Sequence, residues 1–190
     1  MGVVSRKDIE AAASRINSRV RRTPVIQLEE AAFGIDAEIF LKLELFQHTG
    51  SFKPRGAFNR ILSADVPRAG VITASGGNHG QAVAYASRIL GIDAEIFVPE
   101  GSPALKAERI RRHGAALTVT GQYYDDAMDA CRSRALETGA LLVHPYDHPD
   151  VVAGQGLVGQ EMEDQLPDVD TVLVAVGGGG LAAGVAAWYQ

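Results

Sequence analysis

The stretch Val71-Ile72-Thr73-Ala74-Ser75-Gly76-Gly77-Asn78-His79-Gly80-Gln81 decides the fold. Four apolar or β-branched residues predict a strand, and Gly76 and Gly77 open a turn at its end. Gln81 to Leu90 then carries a helical pattern that Gly91 stops, and Glu95-Ile96-Phe97-Val98 predicts a second strand ended by Pro99. Two buried-type strands joined through a helix are a parallel crossover, so the unit calls for a parallel sheet covered by helices.

The same alternation extends outward. Ser5 to Asp8 forms a capping box ahead of Ile9, Ala12, Ala13 and Ile16 at helical spacing. Glu38 to Glu44 mixes an apolar centre with alternating ends and predicts a strand. Downstream, Ser102-Pro103 reads as an N-cap and first helical residue, opening a helix toward Gly114. Strand Leu117–Thr120, a helix over 124–137 and strand Leu141–Val143 follow. A loop from Pro145 to Pro149, a helix over 151–166, strand Thr171–Val176 and a helix from Leu181 complete the pattern. The fold class is α/β: mostly parallel twisted sheets with flanking helices. The loops at 45–52 and 145–149 are the candidate crossings between two subdomains.

Composition narrows the function. The 190 residues are 46% hydrophobic and 22% charged, enough to bury a core, and the net charge of -5 argues against nucleic acid as partner. The single cysteine, Cys131, excludes an internal disulfide framework and fits a reducing, cytoplasmic setting. No targeting segment is legible at the N-terminus. Val172 to Tyr189 lacks charge, but four glycines interrupt it, so a strand, turn and helix describe it better than a membrane span. The five histidines match no metal-binding pattern.

Ligands in parallel α/β folds sit beyond the carboxyl ends of strands. Three unusual turns are expected at such places. Gly177 to Gly180, lacking Cβ atoms, let backbone N–H groups converge on an anion at a helix N-terminus. Ser75 to Gly80 adds the side-chain donors Ser75 and Asn78, suited to a carboxylate, although Asn78 could equally be a helix cap. His48-Thr49-Gly50-Ser51-Phe52-Lys53-Pro54-Arg55-Gly56-Ala57 supplies a lysine among small and polar neighbours. To attack an aldehyde, Lys53 must be neutral part of the time, which burial or a nearby cation favours. Arg55 is close in sequence, with a direction that the sequence does not give.

Thr49 to Ala57, with Ser75-Gly76-Gly77-Asn78-His79-Gly80-Gln81 and Val176 to Leu181, resembles the serine/threonine dehydratases. These are fold type II (tryptophan-synthase-β-like) pyridoxal-phosphate enzymes. The resemblance spans essentially the whole chain, and Ala153-Gly154-Gln155-Gly156 leading to Glu161 also fits it. It implies that Lys53 forms the internal Schiff base with pyridoxal 5'-phosphate and is the catalytic base. Phe52 would lie beside the cofactor ring, Asn78 would bond its phenolic oxygen, and Gly177, Gly178, Gly179, Gly180 and Leu181 would hold its phosphate. Ser75, Gly76, Gly77, Asn78 and His79 would bind the substrate, a small amino acid. The division implied is residues 1–52 in a larger cofactor domain, 53–145 in a smaller α/β domain, and 146–190 returning to the larger one. A homodimer is expected on the same ground. Threonine synthases usually carry Asp where Pro54 stands. Serine racemases carry a second serine where this chain has Gly76, so the resemblance implies elimination rather than racemisation.

Rival readings remain at this point. Gly154-Gln155-Gly156-Leu157-Val158-Gly159 matches G-x-G-x-x-G but lies inside a helical pattern. Gly177 to Ala182 matches G-x-G-x-x-A, a nicotinamide-type fingerprint that leaves Lys53 unexplained. The resembled enzymes continue well past the residue matching Gln190, so a catalytically incompetent, ligand-binding fragment is the other alternative. A serine racemase and a 3-hydroxyaspartate ammonia-lyase are the further alternatives.

Overall fold

The computed structural model describes residues 4–190. Ser5 caps helix α1 (Arg6–Ile16), with Asp8 completing the capping box as the sequence predicts. A short antiparallel ribbon follows, β1 (Val25–Gln27) against β2 (Phe40–Lys42). Two 3-10 turns, Glu44–Phe46 and His48–Gly50, lead into α2 (Lys53–Leu62). Then come β3 (Val71–Ala74), α3 (Asn78–Leu90), β4 (Ala94–Val98), α4 (Ala104–Arg111) and β5 (Ala116–Val119). Helix α5 (Tyr124–Thr138), β6 (Leu141–Leu142), α6 (Pro149–Gln165) and α7 (Gly180–Tyr189) complete the chain.

Strands β5, β4, β3 and β6 form one parallel sheet in that order, with Val71 opposite Ala94 on one side and Leu141 on the other. Alternation along β3 and β4 divides the apolar residues between two faces. Val71, Ile96 and Val98 join a core that includes Ile9, Ile16, Phe58, Leu157 and Trp188. Ile72, Ala74 and Phe97 face Ala127, Met128 and Cys131 of α5. Both faces are therefore covered, as a parallel sheet requires. Burial pushes the Cys131 thiol up to about 12, so it behaves as a core residue.

Helix α6 packs against α1, α2 and α7, and glycines set the spacing. A Cβ on Gly154 would lie 2.6 Å from Arg55 O; on Gly156, 2.6 Å from Ile9 Cδ1; and on Gly184 of α7, 2.5 Å from Val152 O. The G-x-G-x-x-G match is thus a close helix-packing face, not a strand-to-helix phosphate turn.

Three expectations need correction. Thr171–Val176 joins no ladder among the described residues, and Leu173 is 92% exposed; an apolar strand needs a neighbour to satisfy its N–H and C=O groups. Only Ser75–Gly80 leaves a strand of the parallel sheet directly, since the 3-10 turns separate Lys53 from β2 and no strand precedes Gly177. The N-cap of α4 is Pro103 rather than Ser102, and Ser102 makes no capping bond. Among the described residues, no helix is long and apolar enough to cross a membrane.

Candidate active site

Lys53 opens α2, preceded by backbone in an uncommon conformation: Thr49 and Gly50 have φ of 63° and 76°. A β-branched threonine rarely adopts that region, so the approach to the lysine stores strain. The hydroxyls of Thr49 and Ser51 beside it are buried with no hydrogen-bond partner. Lys53 itself is half-buried, and its Nζ donates to Pro145 O at 2.7 Å. Desolvation holds its amine below the ordinary lysine range. The Phe52 ring centroid lies 5.1 Å from Nζ.

Arg55 does not assist in that shift. Its side chain is fully buried and turned away, bonding Glu44 at 2.7 and 2.8 Å and Glu161 at 2.7 and 3.0 Å. Lys42 Nζ adds 2.6 Å to Glu161. The two cations and two carboxylates compensate one another, so Arg55 anchors α2 rather than tuning Lys53.

The second turn follows β3. Ser75 Oγ accepts from Gly77 N at 3.2 Å, folding the turn on itself. Gly77 is the N-cap of α3 and no side chain caps it; Asn78 is exposed and makes no capping bond. The simple-cap reading of Asn78 therefore falls. His79 departs from the other four expected substrate contacts, because its imidazole points into the protein. Its Nε2 donates to Val143 O at 2.9 Å and lies 3.1 Å from Thr73 Oγ1, which also donates to Val143 O at 2.7 Å. Complete burial first, and the Lys53 charge as a smaller contribution, bring its pKa down to about 3, so the ring is neutral. Its Nδ1 has no partner.

The polyglycine turn is the third. Gly179, with φ of 88°, is the N-cap of α7, again without a capping side chain. Tyr146 lies against Gly178, and its backbone O is 3.0 Å from where a Cβ on Gly180 would be. Helices α2, α3 and α7 begin without a side-chain cap, as α4 does, whereas α1 and α6 are capped by Ser5 and His148. Uncapped N-termini keep N–H groups free for an anion.

One segment, Val143–Asp147, gathers the three turns: Val143 O holds His79, Pro145 O holds Lys53, and Tyr146 covers the glycines. Sequence reasoning missed this hub because carbonyl oxygens carry no residue-type signal. Its overlap with the 145–149 loop, a candidate subdomain crossing, was the sequence's hint.

The family described as pyridoxal-phosphate dependent enzyme matches residues 16–190. The chain belongs to that family. An L-threonine ammonia-lyase of Geobacter sulfurreducens is 44% identical over 180 residues, covering 94% of this chain and 45% of that protein. A catabolic L-threonine dehydratase of Staphylococcus aureus is 44% identical over 187 residues, covering 97% of this chain and 54% of that protein. The chain thus spans about half the length of the curated relatives it matches. Among solved structures, maize serine racemase superposes with a TM-score of 0.94 at 36% identity, covering 98% of this chain and 57% of that chain. The processed form of threonine deaminase isoform 2 from Solanum lycopersicum gives 0.88 at 34%, covering 96% and 50%. The family's fold type II architecture and its cofactor, pyridoxal phosphate, are accordingly those of this chain. The local chemistry fits that cofactor: a desolvated amine, uncapped helix N-termini and orphaned hydroxyls at Thr49 and Ser51 lie on the joined turns.

Proposed function

We propose that the chain carries the lysine side of a β-elimination site, converting L-serine or L-threonine to a 2-oxo acid and ammonia. The observation that carries this reading is the half-buried, pKa-lowered Lys53, bonded to Pro145 O of the segment that also holds His79 through Val143 O and lies against Gly178 through Tyr146. The relatives named for threonine dehydration support the substrate class.

In this reading Gly177 to Gly180 and Leu181 hold the phosphate at the start of α7. Phe52, Lys53 and Asn78 would complete the set of residues that holds the cofactor. Pyridoxal phosphate, when bound, supplies the electron sink that makes an amino acid's α-proton removable. The Ser75–Asn78 turn orients the substrate carboxylate with its hydroxyl and free N–H groups. Lys53, neutral for part of the time, takes the α-proton. His79, neutral and facing Val143, adds no competing charge and keeps the hub in register with the turn. Gly76 offers no hydroxyl of its own for returning a proton on the opposite face, which favours loss of the β-hydroxyl over racemisation. A homodimer in the cytoplasm belongs to the same proposal.

The test is 2-oxo acid release from L-serine and L-threonine by the cofactor-supplemented protein. Release that disappears in Lys53→Ala supports elimination. Retained cofactor with no release favours a chain that holds ligand without turnover, and faster racemisation than elimination overturns the reaction direction.

A further inference from the structure

We propose that Ser102 is a substrate-positioning residue, its hydroxyl reaching from the loop before α4 to the Gly76 side of the Ser75–Asn78 turn to hold the substrate carboxylate. This rests on the reading of that turn as the substrate's carboxylate site. A Cβ on Gly76 would lie 2.8 Å from Ser102 Oγ and 3.4 Å from Ser102 Cβ. The first distance is shorter than real Cβ contacts, so a side chain at 76 and the present Ser102 rotamer exclude one another. The two positions share one space.

That hydroxyl is free to act. Among the described residues Ser102 Oγ has no hydrogen-bonding partner, while its backbone N–H is engaged by Pro99 O at 3.0 Å. It opens on a cavity of about 380 Å³ that Gly76, Ser102, Lys106, Gln122, Tyr123 and Tyr124 line with others. The cavity meets the turn at Gly76, beyond the carboxyl ends of β4 and β5, where ligands of parallel sheets bind. Ser75 Oγ accepts from Gly77 N and keeps its own O–H as a first donor. Ser102 is therefore a second O–H donor for the carboxylate of an α-amino acid held at the turn. It acts by positioning and leaves proton removal to Lys53.

A set of four proteins tests this: wild type, Gly76→Ser, Ser102→Ala and the double variant Gly76→Ser/Ser102→Gly. Thermal midpoints check that each variant folds, and calorimetric L-serine binding to the cofactor-loaded protein reads the contact, with 2-oxo acid release in parallel. Gly76→Ser can be met by rotation of the unpartnered Ser102 hydroxyl, so its midpoint should stay close to that of wild type and of the double variant. Ser102→Ala should weaken L-serine binding and raise KM about tenfold, with kcat changing less than about threefold. Weakened binding in Ser102→Ala without any turnover in wild type would uphold Ser102 while removing the elimination reading. Normal turnover with unchanged binding in Ser102→Ala would overturn the inference and leave elimination standing.

Discussion

Lys53 occupies the first turn of α2, where desolvation disfavours its charge and the helix dipole opposes a cation in the same direction. Its amine is consequently neutral at lower pH than an exposed lysine's. In cofactor-free protein, amine-selective acylation of Lys53 should reach half its maximal rate at lower pH than that of free Nα-acetyl-lysine amide. Identical pH profiles for the two amines would contradict the burial argument. His79 gives a second prediction at this scale. Its pKa near 3 in the folded chain lies below the ordinary 6.5, so the unfolded state takes up a proton first as pH falls. The stability contributed by the neutral ring is fully present above about 6.5 and is lost progressively toward 3. Between pH 7 and 5 the loss is about 2 kcal/mol. Urea unfolding at both values should show that loss in wild type and a correspondingly smaller one in His79→Gln. Equal losses would remove His79 as the source.

At the scale of elements, glycines separate into those that leave a helix start open and those that let helices touch. Gly77 and Gly179 are uncapped N-termini, while Gly154, Gly156 and Gly184 sit where a methyl group would strike a neighbour. Gly184→Ala would place its Cβ against Val152 O and Gly156 N, backbone atoms that cannot rotate aside. It should cost about 3 kcal/mol in urea unfolding, while Gly101→Ala, with open space around it, should change stability by less than about 0.5 kcal/mol. Similar small effects for both would refute the close packing. Apart from α2, the helices were readable from their periodicity and stop signals, and α6 was read as a helix despite its G-x-G-x-x-G. What packs on that glycine face was not readable, because Ile9 and Gly184 lie far from it in sequence. Ser75–Gly80 was legible as a turn, yet the inward rotation of His79 depends on Thr73 and Val143, a tertiary fact.

Across the whole molecule, the buried group of Arg55, Glu44, Glu161 and Lys42 binds the N-terminal ribbon to α2 and α6. Thr23 joins it by donating to Glu44 at 2.6 Å. Arg55→Met leaves two carboxylates short of a partner and should destabilise the fold by about 3–5 kcal/mol; a loss under about 1 kcal/mol would show that Lys42 alone satisfies both. The sequence placed Arg55 beside Lys53 but could not orient it, since its partners are supplied by α6 and by the turn after β2. The parallel sheet, by contrast, was legible because β3 and β4 are buried on both faces. Thr171–Val176 carries the same apolar signal with no strand beside it among the described residues, so pattern alone could not foretell its conformation. The most direct measurement is borohydride reduction of the protein incubated with pyridoxal phosphate, followed by peptide mapping. A reduced pyridoxyl group is expected on Lys53, and none in Lys53→Ala. Stable modification of other lysines with Lys53 untouched would contradict the central role given to that amine.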